Sequence, residues 1–201
     1  MTVEFPPSAV QRSLNQPGPG AKMRVLTTAD RLFYDEGIRT VGVDRLIAES
    51  TVTKATFYKH FGAKDNLVVE YVNRRHAAAE AELESIRETS DSPLETLRGI
   101  VVSIVDDLQR PGFRGCPFVN AAAEFADPEH PVRVIVLQHR DWYTETLDDL
   151  FREAGHPLSG DAADEFLLAR DGAMVGGYAG DTIAAAAAFT RVADRLFGDC
   201  R

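Results

Sequence analysis

Residues 29–67 read ADRLFYDEGIRTVGVDRLIAESTVTKATFYKHFGAKDNL. Within them Lys54, Lys59, His60 and Lys64 share a short segment with Phe57, Tyr58 and Phe61, in a chain of net charge -9. Helical spacing organises the stretch. Val25, Ala29, Leu32 and Phe33 make one apolar face of a helix over 21–36, and Gly37 is a good terminator. Leu46 and Ile47 point inward from a second helix over 43–50, with Gly42 as its N-cap. Thr53 caps a third helix over 54–60, and Gly62 breaks the chain. Phe57 and Phe61, four residues apart, fall on one face and belong in a core with Phe33, Leu46 and Ile47. The cations and Tyr58 are left on the other side.

A short helix, a tight turn and a second short helix have helix-turn-helix dimensions, and such a motif puts its second helix in the major groove of DNA. The start of that helix must be small so that its backbone can approach the duplex. Thr53, Lys54, Ala55 and Thr56 meet this need, and hydroxyls and backbone N–H groups at a helix N-terminus bind phosphate. Tyr58, Lys59, His60 and Lys64 add donors along one side. Charge alone fits an ordinary solvated face with surface lysines better. Residues 21–76 hold ten Lys/Arg against seven Asp/Glu, whereas residues 77–201 hold 11 against 23. That asymmetry is a weak pointer to a polyanion partner, and for the N-terminal part only.

The spacing of Ala29, Leu32, Phe33, Gly37, Val43, Leu46, Ile47, Val52, Thr53, Thr56, Tyr58, Phe61, Lys64 and Leu67 resembles the DNA-binding head of the tetracycline-repressor (TetR) family of bacterial transcriptional regulators. The resemblance implies an all-α homodimer on a palindromic double-stranded DNA operator, with a small-molecule effector that releases repression. The DNA-facing set expected on this basis is Thr40, Gly42, Thr53, Lys54, Ala55, Thr56, Tyr58, Lys59, His60 and Lys64. Three positions depart from the family pattern. Val41-Gly42 stand where a Thr-Ser pair is common, Ala55 where Gly is common, and Ser50-Thr51 where the turn commonly has Ala-Gly. If the turn needs a positive φ, a β-branched Thr51 is strained there.

The 201 residues divide into a flexible arm (1–20), a three-helix head (21–65) and a larger helical body (66–201), about nine helices in all. The arm lacks the basic and apolar regions of a signal peptide. No run of about 18 apolar residues suggests a membrane span, and two cysteines are too few for a disulfide framework. The expected location is the cytoplasm. In the body, Asp91-Ser92-Pro93 and Asp127-Pro128 are helix starts, with a helix from the latter to about Ala154. Further helices are expected over about 161–179 and 182–197, the latter capped by Asp181.

Gly172, Gly176, Gly180 and Ala184 are spaced by four and form a bald stripe. The resemblance places it at the dimer interface, and a close crossing within one chain or a kinked helix is the alternative. Phe118, Asn120, Phe125, His139, Trp142, Tyr143, Met174 and Tyr178 combine aromatic walls with polar tips and are candidates for an effector pocket. Cys116, as an N-cap beside Arg110 and Arg114, is either a thiol or electrophile sensor or a small buried cap. No cofactor is expected, and His130, His139 and His156 lack metal-ligand spacing. No P-loop, nucleophile elbow or paired-carboxylate motif supports an enzyme. An interaction protein that binds no DNA is the remaining alternative.

Overall fold

The computed structural model describes residues 20–200; the expected arm at 1–20 lies outside them except for Gly20. Among the described residues the structure is helical and contains no strand. The helices are α1 (Ala21–Glu36), α2 (Val43–Glu49), α3 (Lys54–Phe61), α4 (Lys64–Glu88), α5 (Pro93–Gln109), α6 (Pro117–Glu124), α7 (Pro131–Glu153), α8 (Ser159–Ala179) and α9 (Thr182–Gly198). No described helix is long and apolar enough to cross a membrane.

The first three helices close around Val25, Ala29, Leu32, Phe33, Leu46, Phe57 and Phe61, each at most 4% exposed. The 25 residues of α4 make a rod of about 37 Å. Its first turns bury Leu67, Val68, Tyr71 and Val72 and pack against α1, and it continues along α5 and α7. One helix therefore belongs to both the head and the body. Caps explain the boundaries. Ser92 accepts from the Glu95 N–H with Pro93 behind it, and Asp181 accepts from the N–H groups of Ile183 and Ala184. The expected start of α7 shifts. Asp127–His130 form a turn, closed by His130 N–H to the Asp127 carbonyl, and His130 Nδ1 caps the helix by accepting from Val132.

The turn between α2 and α3 is left-handed at Thr51, with φ 53°. Its hydrogen bonds show why. The Val52 N–H reaches back to the Ile47 carbonyl (3.3 Å) and the Thr51 N–H to the Ala48 carbonyl (3.2 Å), a Schellman ending that needs a positive φ at the residue after the cap. Arg24 of α1 braces the turn by donating to the Ser50 and Thr51 carbonyls. Val41, where a hydroxyl was expected from the family pattern, is fully buried in the head core.

Because only glycine adopts this φ without steric cost, Thr51→Gly is expected to stabilise the head by about 1 kcal/mol after the loss of chain entropy in the unfolded state is counted. Thermal unfolding checks this, and a lower melting temperature for the variant contradicts it.

Candidate functional site

Two regions hold the residues singled out in the sequence. The first is the outer surface of α3. Thr53 Oγ1 accepts from the Thr56 N–H at 3.1 Å and lies 2.9 Å from the Thr56 hydroxyl, so the cap sets both hydroxyls at the helix start. Phe57 is fully buried and Phe61 nearly so, which rotates Lys54, Ala55, Tyr58, Lys59 and His60 outward; all five are exposed. Thr40 and Gly42 are exposed at the start of α2. Lys64 differs from the expectation. Its Nζ donates to the Ile38 carbonyl at 2.6 Å and lies over the Phe33 ring, and burial lowers its pKa. It braces the head from within.

The head's other charges are largely satisfied internally. Arg45 bonds Glu36 and Glu49, and Arg31 also reaches Glu49. The hydrogen bonds from Arg45 hold both carboxyls below their ordinary pKa. This network lies on α1 and α2, while the α3 cations face outward.

The second region is a cavity of about 800 Å³ in the body. Tyr34 of α1, Arg75, Leu83 and Ile86 of α4, Ile100 and Ile104 of α5, Arg110 just after it, Pro117 and Phe118 of α6, His139 and Tyr143 of α7, and Arg170 and Met174 of α8 border it. Of the expected pocket residues it brings together Phe118, His139, Tyr143 and Met174. The other four lie outside this lining. Asn120 donates to the Arg114 carbonyl, and Phe125 stacks on His130. Trp142 packs behind His76 and His139, and the exposed Tyr178 lies under Arg114. A smaller cavity of about 230 Å³ shares Phe118, His139, Tyr143 and Arg170 with the larger one and also touches Cys116.

Cys116 caps α6 through its backbone and is 4% exposed. Its expected basic neighbours are engaged elsewhere, Arg110 with Asp107 and Tyr34, and Arg114 with the Tyr178 ring. The cation at the thiol is Arg170, with both Nη atoms 3.8 Å from Sγ. Arg75 and Arg170 were not singled out in the sequence, because nothing in their local pattern distinguishes them from surface arginines. Tyr34 was missed for another reason: it sits on a head helix, yet faces the body.

Two polar ties join the head to the stretch 114–124. The Tyr34 hydroxyl donates to the Gly115 carbonyl (3.1 Å) and accepts from Arg114 N–H (2.9 Å) and Arg110 Nη2 (3.2 Å). At the far end of α6, the Glu124 carboxylate accepts from the Ile38 and Arg39 N–H groups at 2.8 and 2.6 Å. Gly37, with φ 91°, lets the chain pass there; a Cβ would lie 3.3 Å from Glu124 Oε1. Pro117 and Phe118, between the ties, face the cavity. Among the described residues no group of three or more His, Cys, Asp or Glu side chains is arranged to hold a metal.

His139 stacks on Phe118 with ring centroids 3.5 Å apart, and its Nδ1 lies 3.2 Å from that of His76. Burial, reinforced by Arg170 and His76, pushes its pKa from 6.5 down to about 3. Below pH 6.5 the unfolded chain gains a proton on this imidazole that the folded chain refuses until about pH 3. Stability from this group is therefore complete above that window and falls through it, by at most about 1.4 kcal/mol per pH unit. The drop in melting temperature from about pH 7 to about pH 5 is expected to be smaller in His139→Phe than in the wild type; equal drops contradict it.

Comparisons with known proteins agree with this architecture. Residues 25–71 match the family model described as "Bacterial regulatory proteins, tetR family", and residues 93–159 match "Tetracyclin repressor-like, C-terminal domain". A TetR-family transcriptional regulator from Streptomyces coelicolor is similar at 39% identity, covering 90% of this chain and 95% of that one with a TM-score of 0.86. The regulatory protein TetR from Rhodobacter sphaeroides shares the fold at 22% identity, with 88% and 98% covered and a TM-score of 0.78. The HTH-type transcriptional regulator LmrA of Bacillus subtilis is 24% identical over 142 residues, 67% of this chain and 73% of the relative. TetR-family members are regulators and not enzymes, which removes the enzyme alternative. With the helix-turn-helix head, the helical body and these likenesses together, the chain belongs to the TetR family and is a DNA-binding transcriptional regulator.

Proposed function

We propose that the protein is a cytoplasmic homodimeric repressor that binds a palindromic operator and is released when a small molecule fills the body cavity. The observation that carries the DNA reading is the division of α3 into a buried Phe57/Phe61 face and an exposed Lys54, Tyr58, Lys59 and His60 face. The first side sets the helix in the head, and the second is free to meet phosphates and base edges. Thr40, Gly42, Thr53, Ala55 and Thr56 complete the surface. Lys64 is assigned to holding the head together.

The dimer reading rests on α8 and α9. A Cβ built at Gly172 or Gly176 meets nothing within 4 Å, so these glycines do not serve a crossing within the chain. The close intrachain contact lies at Gly177, where a Cβ would come 2.8 Å from Leu108 Cδ2. Gly172, Gly176 and Ala184 instead line an apolar groove of about 400 Å³ with Ala188 and Val192. Leu168 and Ile183 on the same helices are 66% and 75% exposed. Glycine within a helix costs about 1 kcal/mol relative to alanine, and close approach of a second copy is the compensation. Two heads must then stand about 34–36 Å apart to meet successive major grooves.

The release reading rests on the ties described above. A ligand that displaces Pro117 and Phe118 must also move Glu124 or strain its bonds to Ile38 and Arg39. It acts only through its difference in affinity for the two head arrangements. Helix α4, which borders the cavity and packs on α1, offers a second route. The thiol-responsive alternative has only the contact of the buried Cys116 with Arg170 behind it.

Selection from a random DNA pool is expected to return a palindrome, with binding that weakens steeply with salt. Lys54→Ala is expected to flatten the slope of log K against log salt by about 2 per dimer, since each lost phosphate contact removes about 0.9. Tyr58→Ala is expected to weaken binding without a change in fold. Recovery of no preferred sequence overturns the operator reading. For the dimer, Gly176→Arg is expected to yield a folded monomer in sedimentation, with operator affinity reduced by at least about tenfold. A variant that stays dimeric removes the glycine groove from the interface.

A further inference from the structure

The wall between the two body cavities carries an unbalanced positive charge. Asp171 is shared by two arginines, with Oδ1 3.0 Å from Arg170 Nη1 and Oδ2 2.6 Å from Arg140 Nη1. One carboxylate thus faces two guanidinium groups. Arg140 is about half exposed and is screened by water, whereas the Arg170 side chain is 15% exposed. The surplus is therefore felt at Arg170, inside the molecule, where the effective dielectric is low. The remaining partner of Arg170 is the Cys116 thiol at 3.8 Å, a weak acceptor. Beside it, the ring of Tyr143 lies 5.3 Å from the Arg170 guanidinium carbon. Tyr143 borders both cavities, and its hydroxyl has no hydrogen-bond partner among the described residues.

The large cavity also borders the acids Glu82, Asp106 and Asp107. Arg75 is paired with Asp30 and Arg110 with Asp107, while the Glu82 carboxylate takes the Ser103 hydroxyl. Glu82 and Asp106 are exposed to solvent. Next to the charged wall the lining turns apolar, with Ile86, Ile100, Ile104 and Met174. A ligand that satisfies both parts is amphipathic.

We propose that the effector is an amphipathic monocarboxylate, its carboxylate seated on the Arg170 guanidinium and the Tyr143 hydroxyl and its apolar part lying against Ile86, Ile100 and Ile104. A guanidinium presents paired N–H groups that match the two oxygens of a carboxylate. A single surplus charge matches a monoanion. A dianionic phosphate ester would leave a buried charge without a partner, which is costly. His139, neutral in the same wall, adds no charge of its own. This assignment rests on the reading of the large cavity as the effector site.

The test uses the full chain near neutral pH with three probes of one shape: phenylbutyrate, its primary amide and the corresponding amine. Binding is read from the fluorescence of Trp142, the single tryptophan, which packs on His139, and from the shift in melting temperature. Phenylbutyrate is expected to saturate the site, with the amide at least about tenfold weaker and the amine weaker still. Arg170→Gln is expected to erase the preference for the carboxylate. Tyr143→Phe is expected to lower carboxylate affinity severalfold at unchanged melting temperature, and it decides the matter if Arg170→Gln does not fold. Equal binding of acid and amide, a preference for the amine, failure of all three probes to bind, or a carboxylate preference that survives in both variants overturns the proposal. A carboxylate that binds and leaves operator affinity unchanged overturns the release reading and spares the site. A neutral or cationic molecule that fills the cavity and lowers operator affinity does the reverse.

Discussion

The Tyr34 hydroxyl is held by the body on three sides, through the Gly115 carbonyl, the Arg114 N–H and the Arg110 guanidinium. A buried hydroxyl with all its capacity used is expensive to displace, because each group left behind loses its partner away from water. Tyr34 belongs to the first helix of the head, so this cluster constrains where the head stands. Glu124 adds a second constraint one turn later, at the Ile38 and Arg39 amides. The head is therefore tied to the body by the shared rod of α4, the Tyr34 cluster and the Glu124 carboxylate. All three touch elements that also border the cavity. Anything that fills that space acts on groups already bonded to the DNA-binding unit.

Charge is handled differently in the two parts. In the head, Arg31, Arg45, Glu36 and Glu49 cancel one another on α1 and α2, leaving the α3 cations facing out. A net surplus of three positive charges over 56 residues is thus narrowed by pairing on α1 and α2. In the body, the acidic excess is mostly on the surface, where it opposes DNA and leaves contact to the heads. The exception is the buried surplus at Arg170. Its position inside a wall of aromatic rings gives one charge more influence than several exposed carboxylates.

The turn at Thr51 shows how far local reasoning reaches. The sequence pattern marks the position as unusual, because a β-branched residue stands where the family commonly has glycine. The structure keeps the left-handed turn and holds it with Arg24 from α1. A residue 27 positions away was needed to see that. The glycine stripe is a similar case. Its spacing announces a close approach but does not say to what. Only the empty space around Gly172 and Gly176, beside the filled space at Gly177, separates an outward face from an inward one.

Periodicity, caps and the alternation of aromatic and basic residues determined by themselves that the chain is all-helical, that Phe57 and Phe61 turn inward, and that Lys54, Tyr58, Lys59 and His60 turn outward. Those properties are set within a few turns of helix, where side-chain direction follows from spacing. Tertiary structure alone decided that Lys64 bonds the Ile38 carbonyl, that Tyr34 of the head closes a cavity in the body, and that Arg170 is the cation beside Cys116. Each of these depends on residues 26 to 81 positions apart coming together. No local pattern encodes which arginine is buried or which carboxylate it must share. That is settled only when the helices pack and water is excluded.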